Sequence, residues 1–260
     1  TPYTILVVDD NPDMTDFLKR TFEGYFKRII IAGDGVEALQ LVRSHVPDII
    51  VSDVMMPRMN GYKLCKTIKE DINISHIPVI LLTARDDRQS QISGYKNGAD
   101  GYLSKPFEVE MLMELIRNRL KNREYTKKRY LNAGLIPTPE ESTISLTDET
   151  FLIKLNSIIQ ENIENSNLGI QFICQEVGLG RSSLYNKLKA LTGMGANEYI
   201  SKLRIEKAIT LISGTDMPFS EIAEKTGFTT PSYFSTAFKQ YTGETPSQYK
   251  ERKKKGLAGK

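Results

Sequence analysis

The sequence predicts an α/β domain with a five-stranded, parallel, doubly wound sheet, followed by an all-helical domain that contains two helix-turn-helix units. Three observations carry this prediction. Residues 1–121 alternate five short β-branched runs with five amphipathic stretches, the pattern of a parallel sheet covered by helices on both faces. From Thr147 onward no strand signal occurs, and apolar residues recur at helical spacing. The helical half also repeats itself at an offset of 49 to 50 residues. We divide the chain into a first domain at 1–121, a linker at 122–147, a second domain at 148–252 and a basic tail at 253–260.

The strand runs fall near 4–8, 29–32, 48–52, 77–82 and 100–104, and the helical patterns near 12–24, 35–45, 60–71, 86–97 and 108–121. Pro12, just after an acidic pair, suits the first turn of a helix. Arg123 to Arg129 is charged and compatible with prolonging the preceding helix, whereas Gly134 and Pro137 to Thr143 read as a breaker and an extended linker. In the helical half, Phe151, Leu155, Ile158 and Ile159 form one stripe. Ile200, Leu203, Ile205, Ala208, Ile209, Leu211 and Ile212 form another, on a helix expected from Asn197 to Ser213. Ile173 to Gly178 aligns with Ile222 to Gly227, and Leu184, Leu188-Lys189 and Gly193 align with Phe234, Phe238-Lys239 and Gly243.

Composition narrows the function classes. No apolar stretch reaches the roughly 18 residues that a membrane span needs, and no signal-like segment opens the chain. The chain starts at Thr1, which fits a piece of a longer protein and equally a shorter one trimmed at its start. The two cysteines, Cys65 and Cys174, lie in different halves, an arrangement that fits a reducing, cytoplasmic compartment. His45 and His76 lack zinc-site spacing and read as surface or helix-end residues. Lys and Arg number 16 against 17 Asp and Glu over residues 1–121, and 15 against 12 over 148–260. The second domain is thus mildly basic, which is compatible with nucleic acid without establishing it.

Acidic residues close the strand runs. Asp9-Asp10 follows the first, Asp53 closes the third and Lys105-Pro106 follows the fifth. Parallel strands deliver the residues at their carboxyl ends to one crevice. Three carboxylates and an ammonium there suit transfer of a phosphoryl group to an aspartate, which needs a nucleophile, a divalent cation and a fixed positive charge. Asp53 is the candidate acceptor, Asp9 and Asp10 the candidate Mg²⁺ ligands with it, Lys105 the point charge, and Thr83 a hydroxyl donor. The Gly-rich turn of dinucleotide binding is replaced by Asp9-Asp10-Asn11-Pro12. A magnesium phosphohydrolase is the rival, but no residue resembles its acid/base catalyst, so the chain is not expected to be an enzyme beyond self-phosphorylation and dephosphorylation.

Asp9-Asp10, Asp53, Thr83, Tyr102 and Lys105-Pro106 together resemble the response-regulator receiver domain, a flavodoxin-like fold, over about residues 3–121. The resemblance implies a Mg²⁺ site completed by the Met55 carbonyl and a cis Lys105-Pro106 bond. It implies a histidine kinase as phosphodonor. It also implies that Thr83 and Tyr102 rearrange together, altering the face made by helix 86–97, strand 100–104 and helix 108–121 and favouring a homodimer. Tyr102 fits rim packing as well as this switch. Met55 and Arg85 flank the site.

Each helical copy reads as helix, tight turn, helix. Small and amide residues at the start of the second helix, with Arg and Lys nearby, suit base-edge reading and phosphate anchoring in the major groove. The candidates in the first copy are Arg181, Ser182, Ser183, Tyr185, Asn186 and Lys187. Those in the second are Ser232, Tyr233, Ser235, Thr236, Lys239 and Gln240, with Tyr185 and Tyr233 divided between packing and contact. The joining helix of about 17 residues would span roughly 25 Å, compatible with readers about one DNA turn apart. Ile222-Ala223, Gly227-Phe228, Ser232 to Ser235, Phe238-Lys239, Gly243 and Thr245 to Tyr249 resemble the AraC-type DNA-binding domain over about residues 150–252. Arg204 also fits that pattern. Thr236 stands where that family often has Arg, and Cys174 replaces a usual Ala in the core.

The two resemblances together imply a phosphorylation-dependent transcription regulator that binds double-stranded DNA. It is similar to the cytoplasmic end of hybrid two-component regulators, which commonly control polysaccharide-utilisation genes. A phosphate-independent dimerisation scaffold for a constitutive DNA binder is the alternative.

Overall fold

The computed structural model describes residues 2–84, 98–132 and 145–257. The expected helix at 86–97 and Arg85 lie outside the described residues. The chain forms two compact units, and borders fall inside two helices: Val109–Asn132, of which residues 130–132 group with the second unit, and Leu146–Glu161, whose first turn groups with the first.

In the first unit, β1 (Thr4–Val8), β2 (Arg28–Ala32), β3 (Ile49–Asp53), β4 (Val79–Ala84) and β5 (Gly101–Lys105) form one sheet in the order β2-β1-β3-β4-β5. All four pairings are parallel. This is the flavodoxin-like order, and its crevice lies where the chain switches direction between β1 and β3. The helices are α1 (Pro12–Phe22), α2 (Gly35–His45), α3 (Gly61–Glu70) and α4 (Val109–Asn132). Strand residues alternate between two cores, which is why the runs are apolar throughout. Ile5, Val7, Ile49, Val51 and Ile80 pack with Leu18, Phe22, Leu112 and Ile116 of α1 and α4. Leu6, Val8, Ile50 and Leu81 pack with Ala38, Val42, Leu64 and Ile68 of α2 and α3. Asn11, Asp34 and Asn60 cap α1, α2 and α3 through their side-chain oxygens, so three helices start directly beyond strand ends or loops that face the crevice.

Two expectations are corrected here. The segment expected as linker from residue 122 continues α4 as far as Asn132. The Arg123 guanidinium donates to the Asp48 carbonyl at 3.1 Å and its carboxylate at 3.3 Å, and Lys127 pairs with Glu124 at 2.7 Å. These contacts extend the helix past its apolar stripe. His76 is buried rather than on the surface, whereas His45 is exposed at the end of α2.

The second unit comprises α5 (Leu146–Glu161, beyond its first turn), α6 (Ile170–Val177), α7 (Arg181–Thr192), α8 (Ala196–Gly214), α9 (Phe219–Lys225), α10 (Pro231–Thr242) and α11 (Pro246–Leu257). The repeat is physical. Pairs α6-α7 and α9-α10 are helix-turn-helix units, and each is followed by another helix opened by the same device. The Gly195 amide donates to Glu198 at 3.3 Å, and the Thr245 amide to Gln248 at 2.9 Å. Both second helices end at a glycine whose amide bonds Lys189 or Lys239. Thr192 and Thr242 both bond back one turn, at 2.8 Å. The second copy's core is aromatic: Phe228, Phe234, Phe238 and Tyr249 pack in sequence in tilted and edge-to-face contacts, with centroids 5.4, 5.7 and 5.6 Å apart. Helix α8 buries residues around most of its circumference, from Ala196 and Tyr199 to Ala208 and Ile212, because it is packed by α7 on one side and by α9, α10 and α11 on the others. Among the described residues, no helix is long and apolar enough to cross a membrane.

Candidate functional site

The sheet register sets the first site. Val8 lies beside Ser52, Asp53 beside Leu82, and Ala84 beside Lys105, so β1, β3, β4 and β5 end at one level. Asp53 is 6% exposed and Asp9 3%. The Lys105 ammonium joins them, at 2.5 Å from Asp53 Oδ1 and 3.0 Å from Asp9 Oδ2. The remaining oxygens accept backbone bonds, Asp53 Oδ2 from the Met55 amide at 2.8 Å and Asp9 Oδ1 from the Asn11 amide at 2.9 Å. Gly61 closes the loop after β3. Its amide donates to Val54 at 3.0 Å, and a Cβ there would lie 2.2 Å from the Asp53 carbonyl oxygen. Only glycine permits this approach.

Burial dominates the electrostatics of Asp53 and raises its pKa above the usual carboxylate range, against the pull of Lys105. Burial also opposes the charge of Lys105, but hydrogen bonds to Asp53 and Asp9 outweigh it and raise that pKa. The result is a poorly solvated carboxylate beside a stable cation, with hard oxygen donors next to it. Such a group can act as a nucleophile and can take a hard divalent cation.

The other predicted residues divide. Thr83 is buried at the end of β4, its hydroxyl 3.4 Å from the Ala84 carbonyl. Tyr102 is half-buried and packs against the core shared with α2 and α3. The Lys105-Pro106 bond is cis. The Met55 side chain is exposed, which leaves its main chain to face Asp53. Asp10 is exposed, and no group of three or more acids, cysteines or histidines with metal-site geometry occurs among the described residues. Lys105 bridges Asp9 and Asp53, and Asp10, next in the chain, is exposed beside that pair.

In the second unit, Arg181, Ser182, Tyr185 and Asn186 are exposed on α7, with Ser183 half-buried. On α10, Ser232, Tyr233, Thr236, Lys239 and Gln240 are exposed and Ser235 is half-buried. Tyr185 and Tyr233 are 55% and 56% exposed, and the Tyr233 ring also packs edge-on against Phe228 at 5.7 Å. Two candidates are corrected. Lys187 is fully buried, with its ammonium 5.1 Å from the Phe151 ring centroid. It lies on the stripe Leu184, Lys187, Leu188, Leu191 that faces the core. Arg204 is buried, donates to the Asn165 carbonyl at 2.7 Å and lies over Phe228, so it ties helices together inside the domain. Lys189, not among the candidates, is exposed on α7 at the position that the 50-residue repeat makes equivalent to Lys239.

A model of the response regulator receiver domain matches residues 5–117, and a helix-turn-helix domain model matches residues 173–252. The response regulator MprA of a Mycobacterium species is 36% identical over 165 residues, covering 58% of this chain and 70% of that protein. The chain belongs to the response-regulator family. It carries a receiver followed by an AraC-type helix-turn-helix domain, the architecture of a two-component, DNA-binding response regulator. Both halves of this response regulator are also matched in one relative, histidine kinase P4 of Formosa agariphila, at 41% identity over 249 residues. That match covers 96% of the chain but only 18% of the relative's length. The receiver domain of a Francisella response regulator is 38% identical, covering 46% of this chain and 98% of that one, with a TM-score of 0.42.

Proposed function

We propose that this response regulator accepts a phosphoryl group on Asp53 from a histidine kinase, and that the acyl phosphate controls DNA binding by the helical domain. The observation that carries the proposal is the nearly buried Asp53 at the end of β3, with Lys105 at 2.5 Å and Asp9 on the far side of the same ammonium. Asp9, Asp10, Asp53 and the Met55 carbonyl would hold Mg²⁺. All four offer hard oxygen, and the raised pKa of Asp53 marks a carboxylate whose charge is short of solvation. The bound ion would supply charge neutralisation on the phosphoryl oxygens.

A carboxylate oxygen of Asp53 attacks phosphorus, an O–P bond forms, and the N–P bond to the donor imidazole breaks, with the leaving nitrogen taking a proton. Lys105 passes from the free carboxylate to a phosphoryl oxygen. Thr83, whose present bond at 3.4 Å is long, turns its hydroxyl to another, and Tyr102 moves with it. The altered face on β5 and α4 favours a homodimer. In the helical domain, Arg181, Ser182, Ser183, Tyr185, Asn186 and Lys189 form the first reading surface, and Ser232, Tyr233, Ser235, Thr236, Lys239 and Gln240 form the second. The match to both halves of histidine kinase P4 supports placement at the output end of a hybrid kinase. The deciding experiment is labelling with a radiolabelled acyl phosphate. Wild type takes up one phosphoryl group, Asp53→Asn takes up none, and stoichiometric label on the variant would overturn the assignment.

A further inference from the structure

The loop between β3 and α3 bears on the acceptor at one end and on a distant turn at the other. At the near end, the Met55 amide donates to Asp53 Oδ2 at 2.8 Å. At the far end, Arg58 sits in the left-handed region at φ 61° and donates to Asp34 Oδ2. The Gly35 amide donates to the Met59 carbonyl at 3.2 Å. Asp34 is itself fixed: it is buried, and its Oδ1 accepts the Val36 and Glu37 amides at 2.7 and 3.1 Å as the cap of α2. A non-glycine residue at positive φ is held there by its surroundings rather than by preference, and the partner of Arg58 belongs to a different crossover.

We infer that Asp34 and Arg58 form a clamp between the β2-α2 turn and the Val54–Asn60 loop, and that the clamp positions the Met55 main chain against Asp53. Both are positioning residues. Neither touches the phosphoryl group, and the inference rests on the reading of Asp53 as acceptor. Val54, whose amide donates to Leu82 at 2.9 Å, and Gly61, packed against the Asp53 carbonyl, fix the two ends of the loop, so the Arg58 contact holds the turn between them. Loss of the Asp34–Arg58 contact frees the Met55 amide and carbonyl together, weakening the support of Asp53 and the oxygen offered to a cation.

The test uses the full chain. Asp34→Asn keeps an equally good helix cap but removes the charge. Arg58→Gly removes the guanidinium at a backbone angle that glycine tolerates. Arg58→Lys restores the charge. Three readouts apply: Mg²⁺ affinity by calorimetry, the Met55 amide resonance without metal, and thermal stability. The expected result is a loss of Mg²⁺ affinity of about tenfold in Asp34→Asn and Arg58→Gly, as for other groups that orient metal ligands. The Met55 resonance shifts, the double variant is no worse than either single one, and Arg58→Lys recovers most of the affinity. Unchanged affinity and an unmoved Met55 resonance in both single variants overturn the clamp. So does a loss of affinity matched by general destabilisation without rescue by lysine. If the wild type itself neither binds Mg²⁺ nor is labelled at Asp53, the acceptor reading fails and takes the clamp with it. Normal wild-type behaviour beside insensitive variants sinks the clamp alone.

Discussion

Asp53 pays for its position. Its folded pKa lies above the ordinary value of 3.8, chiefly because burial disfavours the anion. A carboxylate shifted in this direction adds no penalty below its unfolded pKa, and destabilises the fold as pH rises through the raised value. Asp53→Asn should therefore melt higher than wild type at neutral pH, with the difference closing as pH falls toward 4. A pH series of thermal melts measures this, and a gap that widens on acidification contradicts it. Lysines 187 and 189 make the opposite pair. Lys189→Ala should weaken DNA binding across all sequences and reduce the salt slope by about one, because the exposed ammonium can neutralise a phosphate. Lys187→Met should leave that slope unchanged, since its ammonium faces Phe151. Affinity measured over a range of salt separates the two. The position of Asp53 beside Lys105 and Asp9 was legible because strand ends converge in any parallel sheet. The role of Lys187 was legible too, had its place three residues after Leu184 and four before Leu191 outweighed its charge.

Elements show the same contrast between local and distant information. Strand and helix positions in the first unit follow from runs and caps that lie within a few residues of each other. The extension of α4 to Asn132 is helix-compatible in the sequence as far as Arg129, but its anchor, Arg123 reaching Asp48 75 positions away, has no local signal. In the second unit the turn glycine is the sharpest test. Gly227 adopts φ +73°, and a Cβ there would lie 2.2 Å from the Ile163 carbonyl oxygen. Gly227→Ala should cost at least about 2 kcal/mol, combining backbone strain with a clash that side chains cannot relieve. Urea unfolding of the second unit measures it, and a cost under half that size would show that the turn tolerates a methyl group.

At the scale of the whole molecule, the proposed function requires an event at Asp53 to alter affinity for DNA. We expect an acyl phosphate with Mg²⁺ to strengthen operator binding by wild type and to leave Asp53→Asn unchanged, as measured by titration at fixed salt. Equal affinity with and without the reagent would favour the scaffold alternative. The double reader also has a geometric consequence, lodged in α8. This helix closes one helix-turn-helix unit and opens the next, and neighbours enclose most of its surface. An α-helix advances about 1.5 Å and rotates about 100° with each residue. One inserted amino acid would therefore twist the downstream reader out of phase with the upstream one and drag buried side chains into solvent. On the proposed reading, length in this rod is a fixed ruler, and operators are free to vary in letters but not in the distance between the places where they are read.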